Sequence, residues 1–258
     1  MQNIFDSHAH YDSTAFQADR DEVLAALPEA GVVGVLNAGC DVETSHRALA
    51  LARRYDYIWA AAGVHPEFAG EAAADPAHGW LSAIEALLFE EKVVAVGEIG
   101  LDYHYDDGPP REAQLEVFEL QLELAKKHGL PVVIHSRDAT EDTMEVLRRR
   151  KPHGVLHCFS GSVETLREAV ALGLYIGFTG VATFPNARKA KECAAAVPLD
   201  RLLLETDCPY MAPVPFRGRR CDSGMIAYTA AAIAETRGIQ PQAVADAARD
   251  NVRALYGI

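Results

Sequence analysis

The chain has 258 residues, a length that fits either one large α/β domain or two small domains. Its composition, 49% hydrophobic and 24% charged, is that of a globular protein and excludes a disordered or fibrous chain. The formal charge of −13 argues against a protein whose main role is to coat nucleic acid, because that role needs a basic surface. An enzyme that contacts only a few phosphates remains compatible with this charge.

The five cysteines are odd in number and form no CxxC pair, which predicts a reducing compartment and no disulfide framework. The first residues have no signal-peptide pattern, and no segment approaches the roughly 18 apolar residues that a membrane span needs. We therefore expect a cytoplasmic protein without a membrane partner. We also expect this protein to be a monomer.

Short β-rich segments alternate with longer amphipathic segments along the whole chain. The predicted strands are residues 3–7, 32–38, 57–63, 92–98, 131–136, 154–158, 174–179 and 201–206. Several of them are continuous apolar runs, as expected for strands that are covered on both faces. Eight βα units in a chain of this length predict an α/β fold, a single-domain (β/α)8 TIM barrel over residues 1–258. An open doubly wound sheet is the alternative.

The segments between the strands carry helical patterns. Apolar residues recur at helical spacing over residues 80–88 and 115–125, and Gly129 is placed to end the second of these helices. Asp41 and Pro241 are predicted to begin two other helices. The segments predicted to be irregular loops are residues 67–77, 104–110 and 212–224.

Polar residues that can carry chemistry follow the predicted strands, where the active site of a barrel enzyme lies. Six of them are metal-competent: His8, His10, Glu98, His135, His157 and Asp207. His8 and His10 have strand spacing, so both imidazoles can point to one face and share an ion. Each residue alone also fits an ordinary structural role, such as a buried histidine with a hydrogen-bond partner or a turn cap. Together, however, they would leave buried charges uncompensated without cations, which predicts an open metal site.

The strand-end motifs, taken in order, resemble the TatD family of metal-dependent deoxyribonucleases, which belongs to the amidohydrolase-like superfamily of barrels. These motifs are Asp6-x-His8-x-His10, Gly63-x-His65-Pro66, Gly97-Glu98-Ile99-Gly100-Leu101-Asp102-Tyr103, His135-Ser136-Arg137, His157-Cys158-Phe159-Ser160-Gly161 and Glu205-Thr206-Asp207-Cys208-Pro209-Tyr210. The resemblance extends over essentially the whole chain. It implies a metal-dependent hydrolase that acts on phosphodiester bonds, as a 3′-to-5′ exodeoxyribonuclease on the 3′ end of DNA.

The resemblance also implies two divalent metal ions and a ligand for each. His8, His10 and Asp207 would hold the first ion, and His135 and His157 the second, with Glu98 bridging the two. The mixed nitrogen and oxygen donors suit zinc, manganese or iron better than magnesium. No lysine lies at a predicted strand end, so a glutamate bridge fits this family better than the carbamylated lysine of related barrels.

The expected catalytic residues are Asp207, as general base and proton shuttle, and Glu98. The residues expected to bind substrate are His65, Arg137, Arg217 and Arg219, with Arg220 beside them as a further phosphate contact. The rings of Tyr103, His104 and Tyr105 offer surfaces on which a terminal base could stack. The loop around Phe216 and residues 221–224 departs from the family pattern. This departure affects the expected substrate preference, whereas the metal ligands match the pattern.

Two alternatives remain at this stage. The same ion pair could serve an esterase or deacylase that acts on aminoacyl-tRNA or on small phosphate esters, because the fold does not determine the substrate. The chain could also be a metal-binding barrel with little catalysis.

Overall fold

The structure is a computed structural model that describes all 258 residues. Its eight β-strands are β1 (Ile4–Ala9), β2 (Val32–Ala38), β3 (Ile58–Ala62), β4 (Val93–Asp102), β5 (Val132–Arg137), β6 (Gly154–Leu156), β7 (Tyr175–Phe178) and β8 (Leu202–Leu204). All eight belong to one sheet, in the order β1 to β8.

At least one α-helix follows every strand, and two helices follow β3 and β8. The helices are α1 (Arg20–Ala26), α2 (Val42–Arg54), α3 (Ala69–Ala74), α4 (Gly79–Leu87), α5 (Arg111–His128), α6 (Thr140–Arg150), α7 (Val163–Ala171), α8 (Arg188–Ala196), α9 (Ile226–Arg237) and α10 (Pro241–Tyr256). No helix combines the length and the apolar composition that a membrane crossing requires.

The chain divides into two compact units, each built from separate stretches of sequence. The first unit consists of Met1–Asn37, Cys158–Val170 and Tyr175–Ile258. In it β1 pairs with β2 and β7 pairs with β8, all in parallel. A parallel bridge between Ala9 and Cys208 joins the end of β1 to the segment that follows β8. The strand order therefore returns to its start, and the predicted (β/α)8 barrel is confirmed.

The second unit consists of Ala38–His157 and Ala171–Leu174. In it β3 pairs with β4, β4 with β5, and β5 with β6, again in parallel. The first nine residues of β4 are buried, as expected for a strand covered on both faces. The predicted extent of a single domain, residues 1–258, stays a prediction.

All eight predicted strands are present, with differences at their ends. β4 continues four residues beyond the predicted end at Glu98, because Ile99 to Asp102 remain in register with Ile134 to Arg137 of β5. The predicted irregular segment 67–77 is wrong in part, since it contains α3 and the end of a short 3-10 helix, Pro66–Phe68. Helix α3 is alanine-rich and buries Ala69 and Ala72, but it is too short to show helical periodicity in the sequence.

The predicted helix ends are confirmed. The side chain of Asp41 accepts a hydrogen bond from the Thr44 backbone N–H at 2.7 Å and caps α2. Pro241 is the first residue of α10, where its missing N–H costs nothing. Gly129 ends α5 with a φ of 66°, a left-handed conformation that glycine adopts without steric strain.

Candidate metal-binding site

Three potential metal ligands lie together in the first unit, at the ends of β1 and β8. We call His8, His10 and Asp207 the first cluster. The Nε2 atoms of His8 and His10 are 3.0 Å apart, and Oδ1 of Asp207 lies 3.7 Å from the first and 3.4 Å from the second. His8 is fully buried, whereas the side chains of His10 and Asp207 are 13% and 15% exposed. Solvent can therefore reach the cluster from the side of His10 and Asp207.

Backbone hydrogen bonds between the two strand ends hold the first cluster in place. The N–H of Asp207 donates to the carbonyl of His8, and the N–H of His10 donates to the carbonyl of Cys208, each at 2.9 Å. Asp207 has a φ of 59°, in the left-handed region that aspartate adopts more readily than most residues. The chain therefore turns sharply at the residue whose carboxylate joins the two histidines.

A buried carboxylate, that of Asp6, links the strand that carries the first cluster to the segment after β8. Asp6 is fully buried and accepts hydrogen bonds from the Thr206 N–H at 3.0 Å, the Thr206 hydroxyl at 2.6 Å and the Ser223 hydroxyl at 2.7 Å. Burial raises the pKa of Asp6 to about 6, although these hydrogen bonds act in the opposite direction. No role is predicted for Asp6 from the sequence. Its place two residues before His8, on the same face of β1, was the signal that could have identified it.

A second group of potential ligands lies in the second unit, with two members inside β4 and β5 and one directly after β6. We call Glu98, His135 and His157 the second cluster. Oε1 of Glu98 lies 2.8 Å from Nδ1 of His135 and 2.7 Å from Nε2 of His157, and these two nitrogens are 3.2 Å apart. The side chains of Glu98 and His157 are almost fully buried, and that of His135 is 17% exposed.

His65 lies beside the second cluster. Its Nε2 is 3.6 Å from Oε1 of Glu98, and its ring meets that of His135 edge-on at 4.5 Å. Its Nδ1 accepts a hydrogen bond from the Glu67 backbone N–H at 3.1 Å. The proton of neutral His65 therefore sits on Nε2, which makes this residue a donor toward the cluster.

Asp102 positions the imidazole of His135. Its Oδ2 lies 3.1 Å from Nε2 of His135, so the opposite nitrogen, Nδ1, faces Glu98. Burial by itself would lower the pKa of His135, but the hydrogen bonds to Asp102 and Glu98 outweigh burial and raise this pKa to about 9. A carboxylate behind a histidine is a common way to orient a metal ligand. No role for Asp102 is predictable from the sequence, because its pairing with His135 depends on the register of β4 and β5.

Two buried glutamines of α5 hold the strand ends that carry these residues. The amide of Gln121 accepts from the Val64 N–H at 2.7 Å and donates to the Val64 carbonyl at 2.9 Å. The amide of Gln114 does the same for Asp102, at 2.8 and 2.9 Å. Each glutamine thus satisfies backbone groups that the strands leave unpaired next to His65 or at Asp102 itself.

The donor chemistry of both clusters fits divalent metal ions. Each cluster combines imidazole nitrogens with a carboxylate oxygen, a set that suits zinc, manganese or iron. In the second cluster, Nδ1 of His135 and the carboxylate of Glu98 are both acceptors when His135 is neutral. Their separation of 2.8 Å is unfavourable unless a proton or a cation lies between them.

The predicted substrate-binding arginines have different surroundings. The guanidinium of Arg137 lies 5.1 Å from the centre of the Tyr105 ring, and that of Arg217 lies 4.2 Å from the centre of the Phe184 ring. Arg219 is exposed. The expectation for Arg220 needs correction, because its guanidinium makes two hydrogen bonds to Asp19, at 2.7 and 2.6 Å, beside α1.

The three aromatic residues considered as stacking surfaces also differ from one another. Tyr103 is only partly exposed, and its hydroxyl donates a hydrogen bond to Asp142 at 2.7 Å. This side chain therefore has a structural partner within the protein. Tyr105, in contrast, is 60% exposed. His104 contacts the Tyr105 ring edge-on at 4.9 Å. Only Tyr105 presents most of its ring to solvent.

Comparison with known proteins is consistent with this geometry. A family model described as "TatD related DNase" matches residues 5–257. The chain is 40% identical to the uncharacterized metal-dependent hydrolase YabD of Bacillus subtilis, with 99% of both chains covered. It is 36% identical to the 3′-5′ ssDNA/RNA exonuclease TatD of Citrobacter koseri, also with 99% of both chains covered.

A solved structure is similar over the same length. The crystal structure of YjjV, a TatD homologue from Escherichia coli K12, superposes with a TM-score of 0.91 at 35% sequence identity. The superposition covers 99% of this chain and 98% of YjjV.

Proposed function

The chain belongs to the TatD-related DNase family of metal-dependent hydrolases, and on that premise we propose that it is a 3′-to-5′ exonuclease that hydrolyses phosphodiester bonds of DNA. The observation that carries the proposal is the convergence of Glu98, His135 and His157, which come from neighbouring strands and whose donor atoms lie 2.7 to 3.2 Å apart. The name of the Citrobacter relative supports the direction of cleavage and a single-stranded substrate.

We assign two divalent ions to the protein. The first would be held by His8, His10 and Asp207, and the second by His135 and His157, with Glu98 as the bridging carboxylate. Such ions would supply Lewis-acid activation of a water molecule and of the phosphoryl oxygen. The buried surroundings of both clusters support this assignment, because they limit competition from bulk water.

The proton of the attacking water is assigned to Asp207. Its side chain is 15% exposed, so it is open to the substrate side while its backbone is held by the His8 carbonyl. A carboxylate in this position can accept a proton and pass it to solvent or to the leaving oxygen. Glu98 is the second catalytic residue in this proposal, because it holds the ligands of the second cluster in their relative positions.

The substrate contacts are assigned to one histidine and three arginines: His65, Arg137, Arg217 and Arg219. The Nε2–H of His65 would donate to a phosphate oxygen, since its other ring nitrogen is occupied by the Glu67 N–H. The guanidinium groups would bind flanking phosphates through paired N–H donors. Arg137 is best placed for this role, because it lies two residues beyond His135 on β5.

A labelled oligonucleotide assay tests the proposed function. Single-stranded DNA labelled at its 5′ end should shorten stepwise with Mn²⁺, Co²⁺, Zn²⁺ or Mg²⁺, while DNA labelled at its 3′ end should release a mononucleotide first. A chelator should abolish both signals and added metal should restore them. Elemental analysis of the purified protein should give two ions per chain, and one ion for Glu98→Ala or Asp207→Ala.

Parallel substrates separate this proposal from its alternatives. Faster turnover of charged tRNA or of p-nitrophenyl esters than of single-stranded DNA would contradict the nuclease assignment and favour an esterase. Stoichiometric metal without any turnover would point to a binding protein. A folded Asp207→Asn variant with the full rate would contradict the role of Asp207 as base.

A further inference from the structure

Tyr105 is an exposed aromatic residue that contacts two neighbouring side chains, Arg137 and His104, near the second cluster. It lies in the loop after β4, three residues beyond Asp102, which orients His135. Its side chain is 60% exposed. A single exposed aromatic side chain is ordinary on a protein surface, so what distinguishes Tyr105 is the cation and the second ring held against it beside a candidate active site.

Several contacts fix the position of this ring. Arg137 lies over it at 5.1 Å and donates a hydrogen bond to its hydroxyl at 3.2 Å. His104 contacts the ring edge-on at 4.9 Å, and Nδ1 of His104 lies 2.7 Å from a carboxylate oxygen of Asp138. We call Tyr105, Arg137 and His104 the aromatic platform.

The loop backbone adds further restraint. The Tyr103 N–H donates to the Arg137 carbonyl at 2.9 Å, the His104 N–H donates to the Asp102 carboxylate at 2.9 Å, and the Gly108 N–H donates to the Tyr105 carbonyl at 3.1 Å. A ligand that stacks on a ring already held in this way loses little conformational entropy in ordering it.

The platform combines the two groups that a nucleotide in a single strand requires. The Tyr105 ring offers a surface for base stacking, which tolerates any of the four bases. Arg137 has five N–H donors and uses one for the Tyr105 hydroxyl, which leaves others for a phosphate oxygen. On the strand ladder Arg137 lies opposite Asp102, and His135 lies opposite Gly100, so platform and cluster occupy adjacent positions of β4 and β5.

We propose that the aromatic platform is a stacking subsite for the base of a nucleotide that flanks the scissile phosphate. A base inside a duplex is paired and stacked on its neighbours, so it reaches such a ring only after the end has opened. The inference rests on the proposed function for its substrate class.

Binding of a fluorescent oligonucleotide tests the subsite without requiring cleavage. The probe is a short single strand with phosphorothioate linkages, which resist hydrolysis, and with 2-aminopurine at the last or the penultimate position, in the presence of Mn²⁺. Stacking on Tyr105 should quench 2-aminopurine at one of these positions. Tyr105→Leu should remove the quenching and weaken binding about tenfold, a loss within the usual range for one stacked base.

Two control variants and one control probe make the result specific. Tyr105→Phe keeps the ring and should keep the quenching. Phe89→Leu removes an aromatic side chain that is 75% exposed at the opposite end of β4, and it should change neither signal. A probe that lacks the base at the quenched position should bind the wild-type protein about tenfold less tightly. That probe should bind Tyr105→Leu with no further loss.

The outcomes separate this inference from the proposed function. Wild-type protein without quenching at either position, or Tyr105→Leu with equal losses on the intact and the base-lacking probe, would overturn the subsite. Either result could occur in a protein that cleaves unmodified DNA, and the nuclease assignment would then stand. Quenching that depends on Tyr105 in a protein that never cleaves DNA would support the subsite and contradict the nuclease assignment.

Discussion

Asp102 lies 3.1 Å from Nε2 of His135, the ring nitrogen opposite the one that faces Glu98. This hydrogen bond selects the tautomer with the proton on Nε2, which leaves the lone pair of Nδ1 directed at the second cluster. The relationship explains how a histidine in a strand can present its Nδ1 to a metal ion in a defined orientation.

Replacement of Asp102 should therefore weaken metal binding. We expect Asp102→Ala to lower the affinity of the second cluster about 10- to 100-fold, because the imidazole loses the partner that orients it. Calorimetric titration of the metal-free protein measures this change. Asp106→Asn, which alters an exposed carboxylate of the same loop, is the matched control and should bind metal like the wild type. Equal affinities for Asp102→Ala and the wild type would show that the hydrogen bond does not orient the ligand.

Metal affinity of the second cluster should rise with pH. The hydrogen bonds of His135 raise its pKa from 6.5 to about 9, so in the metal-free protein a proton occupies His135 at neutral pH. A metal ion must displace this proton, and the apparent affinity should increase about tenfold per pH unit up to about pH 9. Titrations in buffers with different ionisation enthalpies would count the released protons. A flat profile between pH 7 and 9 would contradict the raised pKa.

The stability of the metal-free protein should fall with rising pH, whereas its metal affinity rises, and the proton on His135 is the cause of both. A histidine with a raised pKa in the folded state contributes its full stabilisation below pH 6.5, its ordinary value, and loses it as the pH rises through about 9. Urea unfolding of metal-free protein should thus show this contribution declining over that window. His135→Gln should lack that decline.

The buried carboxylate of Asp6 should give a different pH dependence. Its pKa is raised from 3.8 to about 6, so the folded protein binds the proton more tightly than the unfolded chain does. The free energy of unfolding should fall by about 2 kcal/mol between pH 4 and 6 from this group alone. Asp6→Asn should remove this slope, because the neutral amide can keep the Thr206 N–H bond while the hydroxyls reverse direction.

Asp6→Ala provides the contrast. It leaves the Thr206 and Ser223 donors without their acceptor in a buried site, and we expect a loss of at least about 2 kcal/mol at every pH. Denaturant titrations of the three proteins at several pH values distinguish these effects. If the difference in unfolding free energy between the wild type and Asp6→Asn stayed constant from pH 4 to 6, the raised pKa of Asp6 would be contradicted.

Arg217 and Arg220 should respond differently to substitution, although only two residues separate them. Arg217 is exposed over Phe184, so Arg217→Gln should raise the KM for single-stranded DNA and leave kcat unchanged. The slope of log(kcat/KM) against log salt concentration is negative, and it should become less steep by about 0.7, the value for one phosphate contact in a single strand. Arg220→Gln should keep the slope and lower the melting temperature, because Arg220 binds Asp19. A less steep slope for Arg220→Gln and a lower melting temperature for Arg217→Gln would show that Arg220 binds phosphate and that Arg217 stabilises the fold.

The fold and the candidate ligands were largely predictable from local patterns. Strand alternation, continuous apolar runs and helix caps such as Asp41 and Gly129 depend on residues close together in the chain. The ends of predicted parallel strands also indicated where chemistry would lie, which led to the six metal-competent residues. The short distances among His8, His10 and Asp207, and among Glu98, His135 and His157, are structural findings, and metal ligation by these residues stays a prediction.

Features that depend on pairing between distant segments were missed. Asp102 meets His135 only because β4 extends to Asp102 and pairs with β5 in one register. Gln114 and Gln121 are polar residues within an apolar helical stripe, and nothing in their neighbours shows that their amides bind strand ends. Tyr103 and Tyr105 looked equivalent in sequence, yet Asp142 binds the first and leaves the second for solvent.

The order of strands and helices, their caps and the kinds of donor atoms after the strands follow from backbone preferences and side-chain chemistry within short segments, so the amino-acid order alone is enough to predict them. The folded arrangement is needed to show which nitrogen of His135 faces Glu98, which arginine binds Asp19 and which tyrosine is exposed. These outcomes depend on strand register and on distances of a few ångströms between residues far apart in the chain, and local periodicity contains neither.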